Sequence, residues 1–266
     1  MLLAVDIGNT NTVLGVFRDA DKLDEWRIAT RAERTADEIA ATLSRLMELG
    51  GLDLGALQSA IVASVVPLAT PHVVRMCRRY LKFDPMVVGQ SELDLGIQVL
   101  IDRPDQVGAD RIVNAVGGHA RYPGPLLLID FGTATTFDVI DADGNYRGGV
   151  FAPGINHSVN ALYAVAAKLP RIEIKATPTI IGKSTVPAMQ SGVYWGYIAM
   201  IEGLSARIQE EFGAPMTVIA TGGLATLFNE HCEAIHKVDP DLTLHGLWQI
   251  HRRNAGRPAG GSVTGQ

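Results

Sequence analysis

The feature that most constrains this chain is a short pattern used twice. An apolar run at residues 2–5 leads into Asp6-Ile7-Gly8-Asn9-Thr10-Asn11-Thr12, and a second at 126–129 leads into Asp130-Phe131-Gly132-Thr133-Ala134-Thr135-Thr136. Asp130, Gly132 and Thr136 each fall 124 residues after Asp6, Gly8 and Thr12. An apolar run that ends in a Gly-containing polar segment reads as a buried strand, a tight turn and a returning strand. The turn leaves a carboxylate at a strand end, with N–H and hydroxyl donors just beyond it. A carboxylate can hold a cation and the donors an anion. Two such turns facing each other would suit a phosphate ligand that carries a metal ion.

The elements around each copy follow one order. In the first half, residues 2–6, 11–17 and 25–30 read as a three-stranded meander. Thr35 and Glu38 have capping-box spacing, and the helix after them repeats Ile39, Leu43, Leu46 and Met47 at helical intervals. A buried strand at 58–66, a helix opened by Thr70-Pro71, a strand at 85–89 and a helix from about Gln106 to His119, capped by Asp105, complete this half. Arg121-Tyr122-Pro123-Gly124-Pro125 is a break, after which the order restarts. Strands at 126–130, 135–140 and 146–152 form a second meander. Helices at 156–168 and 186–212, a strand at 216–221, a short helix and a final helix at 242–252 follow. The shared ββ-β-α-β-α-β order predicts two related α/β domains, residues 1–118 and 119–253, with a ligand cleft where the two turns meet. The Gly-rich polar segment 254–266 reads as a disordered tail.

At 266 residues, with 47% hydrophobic and 19% charged, the chain is long and apolar enough for two modest domains. Its net charge is −5 and no Lys/Arg stripe is present, so no nucleic-acid partner is expected; Arg75, Arg78 and Arg79 read as a solvated helix face. Cys77 and Cys232 make neither a disulfide framework nor a zinc site, which suits a reducing compartment. No basic leader and no apolar run near the ~20 residues of a membrane helix is present. A cytoplasmic chain without a membrane partner is the expectation.

Several nucleotide motifs are missing. There is no G-x-G-x-x-G after a strand, and Gly182-Lys183-Ser184 lacks the P-loop's first glycine, since Thr177 stands there. His231, Cys232 and His236 have no recognised ligand spacing. What remains is chemistry for phosphoryl transfer, which needs donors on phosphates, a divalent cation and a base for the acceptor hydroxyl. The turns can supply the first two. Gly108-Ala109-Asp110-Arg111 can supply the third: Asp110 and Asn114 share a helix face, small residues allow close approach, and the apolar neighbours Val107, Ile112, Val113 and Val116 bury the rest. A surface Asp–Arg pair is the plainer reading of that fragment by itself. Thr221-Gly222-Gly223 closes the set, as paired glycines through which a flat ring could approach the backbone, or as a tight strand-to-helix turn.

Taken together, these segments closely resemble type III pantothenate kinases, within the acetate and sugar kinase, Hsp70 and actin superfamily. The resemblance runs through Asp6 to Thr12, Gly108 to Ala115, Asp130 to Thr135, Gly148-Gly149 with Pro153-Gly154-Ile155, Gly182 to Thr185, Gln190-Ser191-Gly192 and Thr221 to Gly223, and it spans the chain to about Arg252. It implies two ribonuclease H-like domains of actin-like ATPase architecture with ATP in the cleft between them. It also implies ATP-dependent phosphorylation of the 4′-hydroxyl of pantothenate, the first step of coenzyme A biosynthesis. By position, Asp6, Ile7, Gly8, Asn9, Thr10, Asn11, Thr12 and Val13 would cradle the ATP phosphates, with Asp6 near Mg²⁺. Asp110 would be the general base. Gly108, Ala109, Asp110 and Arg111 would line the pantothenate pocket, and Thr185 would contact the same substrate. Asp130 would hold a monovalent cation, K⁺ or NH₄⁺; Thr133 would contact ATP, and Gly222 and Gly223 would sit beside the adenosine. A homodimer is implied as well.

Two positions depart from the family pattern. Ile101 stands where an aromatic helps to form the pantothenate pocket, and Gln106 where the family often has Glu. These bear on substrate affinity more than on reaction type. The competing readings are a non-catalytic ATP-binding regulator on the same scaffold, which would be expected to lack Asp6, Asp110 or Asp130, and another small-molecule kinase of the superfamily.

Overall fold

The computed structural model describes residues 1–90, 93–165 and 169–255. The expected tail 254–266 begins too early, since Asn254 is helical and buried; the residues from 256 and the expected end of the first helix of the second half, at Lys168, lie outside the described residues. The chain divides into two compact units. The first comprises Met1–Gln98, Asp102–Ala120 and the chain from Leu242 onward; the second comprises Val99–Ile101 and Arg121–Asp241. The closing helix thus groups with the first unit and not with the second half of the chain.

The first unit holds β1 (Leu2–Ile7), β2 (Asn11–Arg18), β3 (Asp21–Ala29), α1 (Ala36–Leu49), β4 (Ser59–Ser64), α2 (Thr70–Met76), β5 (Met86–Val87) and α3 (Ala109–Arg121, of which Arg121 falls to the second unit). The second holds β6 (Leu126–Phe131), β7 (Ala134–Ile140), β8 (Tyr146–Pro153), α4 (Ile155–Val165), α5 (Thr185–Phe212), β9 (Thr217–Thr221), α6 (Ala225–Asn229) and β10 (Lys237–Val238). Helix α7 (Leu242–Asn254) then returns to the first unit. The sheet orders are β3-β2-β1-β4-β5 and β8-β7-β6-β9-β10, one topology built twice. In both, the leading strand pairs antiparallel with the next strand and parallel with the fourth.

The sheet of the first unit is covered on both faces, which is why β1 reads as a continuous apolar run rather than an alternating one. Leu3, Val5 and Ile7 meet Ile39, Leu43 and Met47 of α1 and Val73 and Met76 of α2. Leu2 and Ala4 meet Ile112, Val113 and Val116 of α3 and Leu244, Leu247 and Ile250 of α7. In the second unit, Leu127, Ile129 and Phe131 pack on Tyr194, Tyr197, Ile198 and Ile201 of α5 and Phe228 of α6. Both cysteines are buried and free, and burial pushes the Cys77 thiol up to about 12.

Local signals act as the sequence suggests at α1, where Thr35 and Glu38 form a full capping box. They differ elsewhere. Residues Pro104–Gln106 form a separate 3₁₀ turn with Asp105 paired to Arg103 at 2.8 Å, so α3 starts later than expected, at Ala109. At α2 the cap is Ala69, with no side-chain cap bond. The two-residue β10 carries no strand signal of its own and follows β9 by register.

The two Asp-Gly hairpins close differently. In the first, Ile7 pairs with Thr12 and Asp6 with Val13, and the turn is closed by the Gly8 N–H donating to the Asn11 carbonyl at 3.0 Å. In the second, Phe131 pairs with Thr135 and Asp130 with Thr136, and the Gly132 N–H reaches the Ala134 carbonyl at 3.1 Å. The second turn is one residue shorter. A slip of one residue moves a side chain to the other face of a sheet. Thr12 and Thr136, which match by sequence offset, therefore stand on opposite faces relative to their carboxylates.

Helices α3 and α7 cross at a pair of glycines. A Cβ on Gly246 would strike the Val113 carbonyl oxygen, and one on Gly117 would lie 2.5 Å from the Leu242 carbonyl oxygen. Gly246→Ala is expected to destabilise the protein by at least about 1–3 kcal/mol, the usual cost of overpacking. Urea unfolding reads this, and an unchanged midpoint would show that the crossing tolerates a methyl group.

Candidate active site

In the first unit the site grows from the carboxyl end of β1. Ile7 ends the strand, Gly8 turns the chain, and Asn9 and Thr10 are exposed at the tip. The Thr30 N–H donates to the Thr10 carbonyl at 2.9 Å, so the end of β3 braces the turn. Asp6 is half-buried, and its cross-strand neighbours are the apolar Val13 and Ala63. Thr12 is buried with its hydroxyl on that of Thr30 at 2.8 Å. Among the proposed phosphate-contacting residues, Thr12 thus has its side chain committed to the core, while Gly8, Asn9 and Thr10 present the turn.

Asp110 lies in the first turn of α3, in the same unit. Two neighbouring elements approach the β1 turn beside it. The Val65 N–H donates to the Ile7 carbonyl at 3.0 Å, and a Cβ on Gly108 would lie 3.6 Å from Val65 Cγ1. The residue after β4 is therefore bonded to the end of β1 and lies beside the start of α3. That Cβ would also lie 2.5 Å from Asp110 Oδ1, so Gly108 leaves room for the carboxylate itself. The Arg111 N–H donates to Asp110 Oδ1 at 2.8 Å. Burial raises the Asp110 carboxyl above its ordinary 3.8, against the pull of that N–H and the Arg111 guanidinium. Arg111 is itself buried, at 8% exposure. Asn114 is buried and accepts a hydrogen bond from Thr243 of α7 at 2.7 Å, so its carbonyl oxygen serves the α3–α7 contact. The sequence marks Val65 only as part of the expected buried strand at 58–66; its place beside α3 comes from following a strand whose end meets β1.

In the second unit, Asp130 is the next-to-last residue of β6, as Asp6 is of β1, with the same half-buried status. Its neighbours differ: Thr136 is opposite on β7 and Thr221 on β9. Gly222 has φ 89°, and a Cβ there would lie 2.5 Å from Asp130 Oδ1 and 2.8 Å from the Phe131 backbone. This position therefore requires glycine, and its turn lies directly on the Asp130 carboxylate. Thr133 is exposed, and Gly154 packs against its backbone without room for a side chain. Thr185 is exposed at the start of α5 and lines a largely apolar cavity of about 670 Å³ with Ile155, Leu162, Met189 and Tyr197. Gln190 and Ser191 pin the preceding segment through bonds to the Glu173 and Ile180 carbonyls at 3.0 and 2.5 Å. Ile101 lies against Gly148, where a Cβ would be 3.8 Å from its Cγ2, and Gln106 is exposed. His231 bonds the Tyr194 hydroxyl at 3.0 Å.

Among the described residues, no group of three or more His, Cys, Asp and Glu could hold a metal ion. A lone carboxylate beside a phosphate-binding turn still suits Mg²⁺, which keeps several waters and is bound through one or two carboxylates plus substrate phosphates. The oxygen-rich row around Asp130 suits a hard monovalent cation.

The repeated sheet order and paired turns are those of the sugar-kinase and actin-like ATPase fold. A solved structure described as a 2-dehydro-3-deoxygalactonokinase protein from Sinorhizobium meliloti shares it with a TM-score of 0.58 at 14% identity, covering 100% of both chains. Sequence comparison is more specific. The type III pantothenate kinase model matches residues 2–207. A type III pantothenate kinase of Rhodospirillum rubrum is 58% identical over 96% of this chain and 99% of its own length, and one of Paramagnetospirillum magneticum is 57% identical over 96% and 98%. The chain belongs to the type III pantothenate kinase family.

Proposed function

We propose that Asp110 is the general base of this kinase, with the Asp6 turn as its phosphate cradle. Family membership makes the reaction the ATP-dependent phosphorylation of pantothenate that opens coenzyme A biosynthesis, with a divalent metal accompanying ATP. The observation that carries the assignment of roles is that Val65, bonded to Ile7, lies beside Gly108, so that the start of α3 lies near the β1 turn.

In this reading, the Gly8-Asn9-Thr10 turn offers N–H and hydroxyl donors to the phosphates, and Asp6 stands beside the metal. Bound Mg²⁺ supplies charge neutralisation at the phosphate oxygens. Asp110 accepts the proton of the pantothenate hydroxyl as that oxygen attacks the γ-phosphorus. Its raised pKa makes the carboxylate a stronger base than a solvated one. Arg111 pairs with the substrate carboxylate, and Thr185 orients the rest of the molecule. Thr133 and the Gly222-Gly223 turn serve ATP, while Asp130 holds K⁺ or NH₄⁺. A homodimer is part of the same reading. Within α5, Gly192, Gly196 and Gly203 have open space in place of a side chain, the first two on the cavity that Thr185 lines. Mid-helix glycine costs about 1 kcal/mol relative to Ala, and a closely approaching second helix would account for it. No helix among the described residues is long and apolar enough to cross a membrane, and we place the enzyme in the cytoplasm with the pathway that it serves.

Asp110→Asn should lower kcat by about 10²–10⁴-fold while KM for pantothenate changes little; a mutant with near-normal turnover would remove Asp110 from the role. The pH dependence has two signs. Activity needs the carboxylate, so the acid limb of kcat/KM should lie above 3.8. Folding favours the protonated form, so below 3.8 there is no differential cost, and stability is lost as pH rises from there through the raised folded pKa. The Asn variant should therefore unfold at the same or a higher midpoint at neutral pH, and a lower one would contradict the assigned burial cost. For Asp130, turnover should collapse in Na⁺ buffer and return with K⁺ or NH₄⁺; indifference to the cation would count against it. Sedimentation at micromolar concentration should give a dimer, and a monomer at every concentration would contradict that part.

A further inference from the structure

The two units repeat one topology and one carboxylate, yet they surround it with different chemistry. The row across the first sheet at Asp6 reads Val13, Asp6, Ala63; the row across the second at Asp130 reads Thr136, Asp130, Thr221. The contrast arises from the one-residue difference in turn length, which puts Thr136 rather than Phe137, the sequence counterpart of Val13, opposite the carboxylate. Directly opposed residues have Cβ atoms about 4.5–5.5 Å apart. The Thr136 hydroxyl is therefore within reach of any ion held by Asp130.

A second observation fixes how that hydroxyl is used. Thr136 Oγ1 donates its proton to Asp138 Oδ2 at 3.2 Å, and Asp138 Oδ1 accepts from the Tyr146 hydroxyl at 2.9 Å. Asp138 is fully buried, at 0% exposure. A hydroxyl has one proton and two lone pairs. With the proton spent on Asp138, the Thr136 oxygen is left as an acceptor. A K⁺-sized ion gives up hydration water only where protein oxygens replace it, and a proton-committed hydroxyl next to a carboxylate is such an oxygen. The Asp6 row offers none, which fits an ion that keeps its own waters.

We propose that Thr136 Oγ1 is a ligand of the monovalent cation beside Asp130, and that Asp138 is the positioning residue that holds its proton away from the ion. This rests on the reading of Asp130 as the cation carboxylate, which it extends to the chain's own second oxygen. Within the repeat, it makes turn length the device by which one duplicated sheet end became selective for a large monovalent ion.

The test is direct binding of Tl⁺, a K⁺ mimic, followed by ²⁰⁵Tl NMR with K⁺ as competitor, in the presence of Mg²⁺ and a non-hydrolysable ATP analogue. The wild type should bind Tl⁺ and release it to K⁺. Thr136→Val, equal in shape but lacking the oxygen, should weaken Tl⁺ by about tenfold or more, in the range that loss of metal-site partners produces. Thr136→Ser should stay close to wild type, and Thr136→Ala, which cannot clash, should repeat the Val result should the Val protein fail to fold. Asp130→Asn should abolish binding. Wild-type affinity in Thr136→Val with loss in Asp130→Asn would overturn the Thr136 ligand and leave the Asp130 reading standing. Wild-type affinity in Asp130→Asn would overturn both.

Discussion

Strand register at two turns is the constraint on which this structure depends. Each leading strand delivers a carboxylate to its end by pairing with neighbours on both sides, and each turn then decides which residues flank it. Four residues close the first hairpin and three the second. Because side chains alternate with a period of two, that single residue exchanges a valine for a threonine beside the carboxylate. The same sheet thus provides an apolar setting at Asp6 and a hydroxyl-lined one at Asp130.

The acid on α3 is held by different means. Its helix is not part of a turn, and its position is set by backbone contacts that tolerate no side chain. Gly108 admits the carboxylate, and Gly117 meets Gly246 of a helix that arrives from the far end of the chain. Thr243 and Asn114 fasten the same crossing with a hydrogen bond. The cost of the arrangement is visible in Asp110, whose burial disfavours the charged form that the proposed base role needs.

Much of this was legible in the residues. The repeated turns, the order of elements and the capping box at Thr35 are local signals, and local signals survive into the fold because propensity and packing agree there. The start of α3 was not legible: Asp105 looks like a cap, but Pro104 and Gly108 break the backbone on either side, and the helix begins only at Ala109. The place of Val65 beside α3 was not legible for another reason. It is an ordinary apolar residue, and only the parallel pairing of β1 with β4 puts its N–H on Ile7. The alignment of Thr12 with Thr136 was legible and misleading, since equal spacing along the chain is not equal register across a sheet. The home of α7 could not be read either, because an amphipathic helix states that one face is buried but not against what.

The sequence by itself determined the class of the protein: a duplicated α/β chain with two Asp-Gly turns, a helix bearing an acid and an arginine, and a set of motifs belonging to one kinase family. These are carried by residue identity and spacing, which need no third dimension. The tertiary structure alone decided which side chains stand beside each carboxylate, what holds Asp110 in place and which unit receives the last helix. Those depend on pairing between segments far apart in the chain, and the free energy of such pairing is a property of packed surfaces rather than of any one segment.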